Sequence, residues 1–239
     1  RKLAPALAAG CTAVLKPAEA TPLTAIAMMK LFEAAGVPKG VVNLVTCSDP
    51  APVGEVLVSH PKVRKLTFTG STAVGKMLAG KAASHMKRVS CELGGHAPFL
   101  VFEDADPVHA AKGVQLVKFL NTGQACISPN RIFVHRSNLE PFIATLTERV
   151  GRMKAGNGLE EGVSIGPLVN DEAMQKMVRQ VADARDKGAG VACGGERLTS
   201  GGLDKGFFFA PTVLTDVTPE MLIYREETFG PIAPIIPFD

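Results

Sequence analysis

The sequence predicts an α/β chain built on parallel β-structure and divided into two consecutive domains. Three observations carry that reading. Short β-branched runs alternate with helical patterns through the first part of the chain, which is the signature of a parallel sheet with helices on both faces. At Gly94 and Gly95 the rhythm changes, which puts the boundary between domains of residues 1–94 and 95–239. A length of 239 residues, 46% hydrophobic and 21% charged, suits one large or two modest globular domains.

The elements follow in order. "TAVLKP" is a strand ended by Pro17. "TPLTAIAMMKLFEAAGVP" is a helix with Thr21 as N-cap and Pro22 at its first position, carrying Leu23, Ala27 and Leu31 on one face until Gly36 and Pro38 close it. "GVVNLVT" and "RKLTFTG" are strands, followed by the helices "APVGEVLVSH" and "STAVGKMLAGKAASH". In the second domain Asp104 and Asp106 introduce a helix over residues 107–120, and "RIFVH" is a strand. "LEPFIATLTERVGRMKAG" and "DEAMQKMVRQVADARDKG" are amphipathic helices stopped by Gly156 and Gly188, and "PIAPIIPFD" is β-rich.

Composition excludes several functions. A net charge of +3 without a dense basic run argues against nucleic-acid binding. The longest apolar stretch, residues 3–15, is interrupted by Pro5, Gly10 and Thr12 and is shorter than the roughly 20 residues a membrane helix needs. Five widely spaced cysteines without CxxC, and five scattered histidines, give neither a disulfide framework nor a metal site. These features point to a cytoplasmic protein, or an organellar one whose address is not in view, with no membrane partner.

Four places could carry chemistry. Gly70, Ser71 and Gly75 lie where a strand gives way to a helix, so free N–H groups and the helix dipole could hold a phosphate; an ordinary capped helix start is equally compatible. Lys16 and Glu19 in "LKPAE" end a neighbouring strand. They could bind ribose hydroxyls, an acid there favouring NAD over NADP, or form a solvated loop pair. Glu92 in "CELGG" could act as a general base if burial raised its pKa, or simply occupy a glycine turn. Cys91, beside it, points the other way, into the core. Cys126 in "FLNTGQACISPNR" sits among residues too polar for a core strand, so an exposed thiolate is expected. Cys11, Cys47 and Cys193 lie in small or apolar runs and are expected to be buried.

Together "KPAE", "FTGSTAVGK", "ELGG", "NTGQAC" and "EETFGP" stand in the order and approximate spacing of the aldehyde dehydrogenase superfamily. The resemblance spans essentially the whole chain. Through "KRVSCELGGHAPFLVF" and "EETFGPIAPI" it is nearest the succinate-semialdehyde dehydrogenase branch. It implies a variant Rossmann domain followed by an α/β catalytic domain, with Cys126 as nucleophile and Glu92 as base. It further implies an NAD or NADP cofactor held by Lys16, Glu19, Gly70, Ser71, Gly75 and Leu93, with Glu227 on the nicotinamide ribose and Phe229 near the ring. A small aldehyde, a homo-oligomeric full-length protein and a chain lacking both of the family's ends are also implied. Arg1 matches one of two substrate-gripping arginines of the branch, whereas Leu120 replaces the other, and Ser128 replaces a frequent second cysteine. The competing functions are an inactive cofactor-binding fragment of this family and a cysteine hydrolase using the same thiol.

Overall fold

The computed structural model describes residues 1–239, which separate into two compact units, Arg1–Leu93 and Gly94–Asp239. In the first unit, α1 (Leu3–Ala8) leads into β1 (Ala13–Leu15), α2 (Pro22–Ala34) and β2 (Val42–Leu44). There follow α3 (Pro50–Ser59), β3 (Lys65–Thr69), α4 (Thr72–Ser84) and β4 (Arg88–Glu92). Local chemistry starts these helices. Pro22 and Pro50 occupy first turns, where a missing N–H costs nothing. The Asp49 carboxylate accepts from Ala51 N at 3.0 Å and Ser71 Oγ from Val74 N at 3.4 Å, caps of about 1 kcal/mol each. Thr21 makes no such bond.

Strands β1 and β2 pair in parallel, as do β3 and β4, the latter running from Lys65 opposite Arg88 to Thr69 opposite Glu92. The expected continuous sheet is not formed in this unit, because the two pairs share no ladder. A two-stranded ribbon offers too narrow a face to bury helices on both sides. Only Ala25, Val58, Gly75 and Ala82 are buried, while Leu23 and Leu31 of α2 remain 76% and 70% exposed.

The second unit has the covered sheet. Its elements are β5 (Pro98–Val101), α5 (Pro107–Lys118), a 3₁₀ turn (Leu120–Gly123), β6 (Arg131–His135), α6 (Arg136–Gly151) and β7 (Lys154–Ala155). They continue with β8 (Val163–Ile165), α7 (Asp171–Asp186), β9 (Gly190–Cys193), a second 3₁₀ turn (Ser200–Lys205), β10 (Thr212–Thr215), α8 (Leu222–Arg225) and β11 (Ile232–Phe238). The order is β5-β6-β11-β10-β9, parallel except for β9 against β10. Central β11 is buried from Ile232 to Ile236, as an apolar run covered on both faces must be. One core joins Val134, Phe142, Leu146 and Ile235 beneath α5 and α6. The other joins Met174, Met177, Leu214 and Ile232 beneath α7. Each fully buried side chain of this size contributes roughly 1.5–3 kcal/mol.

Helix α6 ends at Gly151 rather than at the expected Gly156. The latter serves the β7–β8 pair instead: a Cβ there would come within 3.1 Å of Val163 Cγ2. No helix is long and apolar enough to cross a membrane.

Candidate active site

In the first unit Lys16 and Glu19 meet. The Lys16 ammonium donates to the Glu19 carboxylate and, at 2.8 Å, to Pro17 O. That bond holds the Glu19 carboxyl below the usual carboxylate range. At the β3–α4 junction, Gly70 N donates to Glu92 O at 3.2 Å, extending the β3–β4 pairing by one residue. Gly70 has no positive φ, so its reason is steric rather than conformational. A Cβ there would lie 2.5 Å from the Phe68 ring. Gly75 has a similar reason, since its Cβ would lie 2.4 Å from Leu93 Cδ2, and bare backbone lets Leu93 pack on the first turn of α4. Ser71 caps the start of α4, and no acidic residue lies in that first turn.

Glu92 is the last residue of β4 and is exposed. Strand alternation turns Cys91 to the other side, where it is half-buried. Cys11, expected to be buried, is exposed, and Cys47 and Cys193 are half-buried. Arg1 is exposed ahead of α1.

The second unit holds Cys126 at the tip of a β-turn closed by Ser128 N donating to Ala125 O at 3.0 Å. Cys126 and Ile127 are exposed, while Ser128, Pro129 and Asn130 are buried. The leg before the cysteine is strained: Asn121, Thr122 and Gly123 have φ of 51°, 61° and 74°. The left-handed region disfavours a β-branched residue such as threonine, at a cost on the order of 1–3 kcal/mol. Side-chain bonds over-determine it. Thr122 Oγ1 accepts from Gly166 N at 2.9 Å and donates to Gly166 O at 3.2 Å. Gln124 Nε2 donates to Pro167 O at 3.2 Å, and its Oε1 accepts from Val169 N at 2.9 Å.

The "EETFGP" segment abuts this leg. A Cβ on Gly123 would stand 2.1 Å from Gly230 O, and one on Gly230 would stand 2.3 Å from Met177 Sδ. Phe229 takes φ 50° and is half-buried. Glu227 meets the two glycines of "ELGG". Its Oε1 accepts from Gly95 N at 3.1 Å, and a Cβ on Gly94 would collide with Oε2 at 2.3 Å. Those glycines therefore make a seat for a carboxylate as well as a chain boundary. The structure thus brings together Cys126's loop and the Phe229–Gly230 turn, and separately Glu227 with Gly94 and Gly95.

Sequence reasoning missed the buried side of the loop. Lys118, fully buried as the last residue of α5, donates to Asn130 Oδ1 at 2.8 Å, and Ser128 Oγ donates to Lys118 O at 3.2 Å. Burial pulls the Lys118 ammonium down to about 7, against the opposing pull of Glu227 and with a smaller push from Lys176. The signal was present: Ala111, Val114 and Lys118 share one helical stripe, which puts a lysine in a core position.

The structure thus shows a strand-turn-helix junction capped by Ser71, an exposed cysteine at the tip of a turn and a carboxylate seated on two glycines. The aldehyde dehydrogenase family model matches residues 1–239, and the chain belongs to that family. It is 51% identical over 239 residues to a probable succinate-semialdehyde dehydrogenase [NADP(+)] of Sinorhizobium fredii, covering 100% of this chain and 48% of that protein. It is 50% identical over 238 residues to a 3-sulfolactaldehyde dehydrogenase of Pseudomonas putida, with coverage of 100% and 48%. A crystal structure of aldehyde dehydrogenase from Brucella melitensis biovar abortus superimposes with TM-score 0.95 at 47% identity, over 100% of this chain and 48% of that one. The chain thus has the aldehyde dehydrogenase fold and spans about half the length of the relatives it matches.

Proposed function

We propose that the full-length protein oxidises a small aldehyde to the carboxylic acid with NAD(P)+, through a covalent intermediate on Cys126. The observation that carries this is the exposed cysteine, held at the tip of a turn whose legs are both fixed, in a chain matched throughout by an oxidoreductase family. The Cys126 thiolate attacks the carbonyl carbon, forming a C–S bond and a thiohemiacetal. Bound NAD(P)+ would accept the hydride that this carbon gives up. The acyl group then remains on sulfur as a thioester. Glu92 takes a proton from water, the water oxygen attacks the acyl carbon, the C–S bond breaks, and acid and thiolate separate.

Ser71 and the acid-free start of α4 suit the pyrophosphate, Lys16 and Glu19 the adenosine ribose, and Glu227 the nicotinamide ribose, with Leu93 and Phe229 also assigned to the cofactor. The sequence-based preference for NAD is not kept. Glu19 is engaged by Lys16, and relatives from S. fredii and Escherichia coli carry NADP(+) in their names. A semialdehyde or another small aldehyde with an anionic tail fits the names of the relatives, with Arg1 as the cation offered to it in place of an arginine pair. A homo-oligomer working in the cytoplasm completes the proposal.

For the 239-residue segment by itself we propose no turnover, because its first unit holds two separate strand pairs and few buried side chains. The test is an aldehyde panel with NAD+ and NADP+ on the full-length protein and on Cys126→Ala. Wild type should reduce cofactor and the variant should fall at least about a thousandfold. Wild-type turnover by Cys126→Ala would refute the mechanism, and cofactor-independent ester hydrolysis exceeding aldehyde oxidation would favour the hydrolase.

A further inference from the structure

Lys118 presents a problem that packing does not solve. It follows Ala111 and Val114 on the buried stripe of α5, has no exposed surface, and takes part in none of the chain's ion pairs. A methionine would fill the same volume without a desolvation cost. What a methionine could not do is reach Asn130. The Lys118 side chain and main chain together close the neck of the loop that carries the cysteine. Nζ donates to Asn130 Oδ1 at 2.8 Å, and the carbonyl oxygen accepts from Ser128 Oγ at 3.2 Å. Asn130 is itself anchored by its N–H to Ala97 O at 3.0 Å, just ahead of β5. All three side chains are buried, with exposures of 0%, 0% and 1% for Lys118, Ser128 and Asn130. The loop therefore returns to β6 through one buried, bonded neck, while its tip at Cys126 and Ile127 meets solvent.

We propose that Lys118 is a positioning residue for Cys126, acting through Asn130 and Ser128 to hold the cysteine turn in one conformation. The proposal rests on the reading of Cys126 as nucleophile, and it deepens that reading by naming the residues that aim the sulfur. Seven residues lie between Lys118 and Cys126, a span that would otherwise sample many turn conformations. The neck removes that freedom on the far leg, as Thr122 and Gln124 remove it on the near one.

The test uses the full-length protein and the second-order rate of Cys126 alkylation by iodoacetamide from pH 6 to 10, assigned by peptide mass, beside steady-state kinetics. In the double variant Lys118→Met with Asn130→Leu, both partners become apolar and no buried polar atom is orphaned, so stability should hold or rise. Positioning predicts that alkylation of Cys126 nevertheless falls at least tenfold across the pH profile. It also predicts that kcat falls in parallel and that KM for the cofactor changes less than twofold. Asn130→Asp, which keeps an acceptor for the ammonium, should stay within threefold of wild type. Ser128→Ala, a smaller change at the same neck, should slow alkylation several-fold and decides the matter if the double variant does not fold. A wild-type alkylation rate and pH profile in the folded double variant, or in Ser128→Ala should that one be needed, overturns the proposal. Turnover surviving Cys126→Ala would instead overturn the proposed function, leaving the alkylation rates to judge Lys118 separately.

Discussion

Lys118 also leaves a thermodynamic trace. An unfolded lysine loses its proton near 10.5, whereas burial brings the folded one to about 7. Between those values the unfolded chain holds a proton that the folded chain has released, so stability rises with pH in this window. Below about 7 both states are protonated and the slope disappears. The groups that act on this ammonium are the Glu227 carboxylate, which favours the charge, and the Lys176 ammonium, which opposes it. Half-buried His96, whose pKa is itself lowered mainly by burial, feels Lys118 in turn. Lys118→Met carries no such proton. Urea unfolding of the full-length proteins should therefore show the variant's midpoint highest relative to wild type near pH 7, with that advantage shrinking by pH 10. A difference independent of pH would mean that the ammonium keeps an ordinary pKa in the folded state.

At the scale of the element, the loop between α5 and β6 is crowded along its backbone as well as bonded. Gly123 has a positive φ and sits where any Cβ would strike the Gly230 carbonyl. Gly123→Ala should cost at least about 2 kcal/mol by displacing one of two packed backbones. It should also slow Cys126 alkylation, measurable by urea unfolding and peptide mass together. Wild-type stability in this variant would mean that the two turns do not abut. Much of this region was legible in the sequence: the glycine, the polar flanks and the isolated cysteine marked an exposed loop. Its supports were not, because Thr122 and Gln124 bond to backbone more than forty residues away, a pairing that no local pattern encodes. Elements followed the same rule. Asp106 announced α5 through its bonds to Val108 N and His109 N, and the unbroken apolar run in "PIAPIIPFD" marked a strand. Gly156 misled because its role is steric, against Val163 in a strand pair, and a glycine bears no mark that separates such a role from a helix stop. Leu23 and Leu31 form an apolar face in sequence that this chain leaves uncovered.

For the whole molecule, the two units contribute unequal parts of the proposed chemistry. Glu92 ends the last strand of the first, and Cys126 stands on the α5–β6 loop of the second. In the proposed mechanism oxidation uses the sulfur and the cofactor, and only hydrolysis of the thioester uses the carboxylate, so the two half-reactions should be separable by mutation. The most direct measurement is the mass of the full-length Glu92→Gln protein, quenched during a burst with aldehyde and NAD(P)+ and mapped by peptide. A stoichiometric burst of NAD(P)H should accompany an acyl adduct on the peptide carrying Cys126, with steady-state turnover reduced by about 10²–10⁴. Cofactor reduction with no adduct on Cys126, or undiminished steady turnover by the variant, would contradict the account.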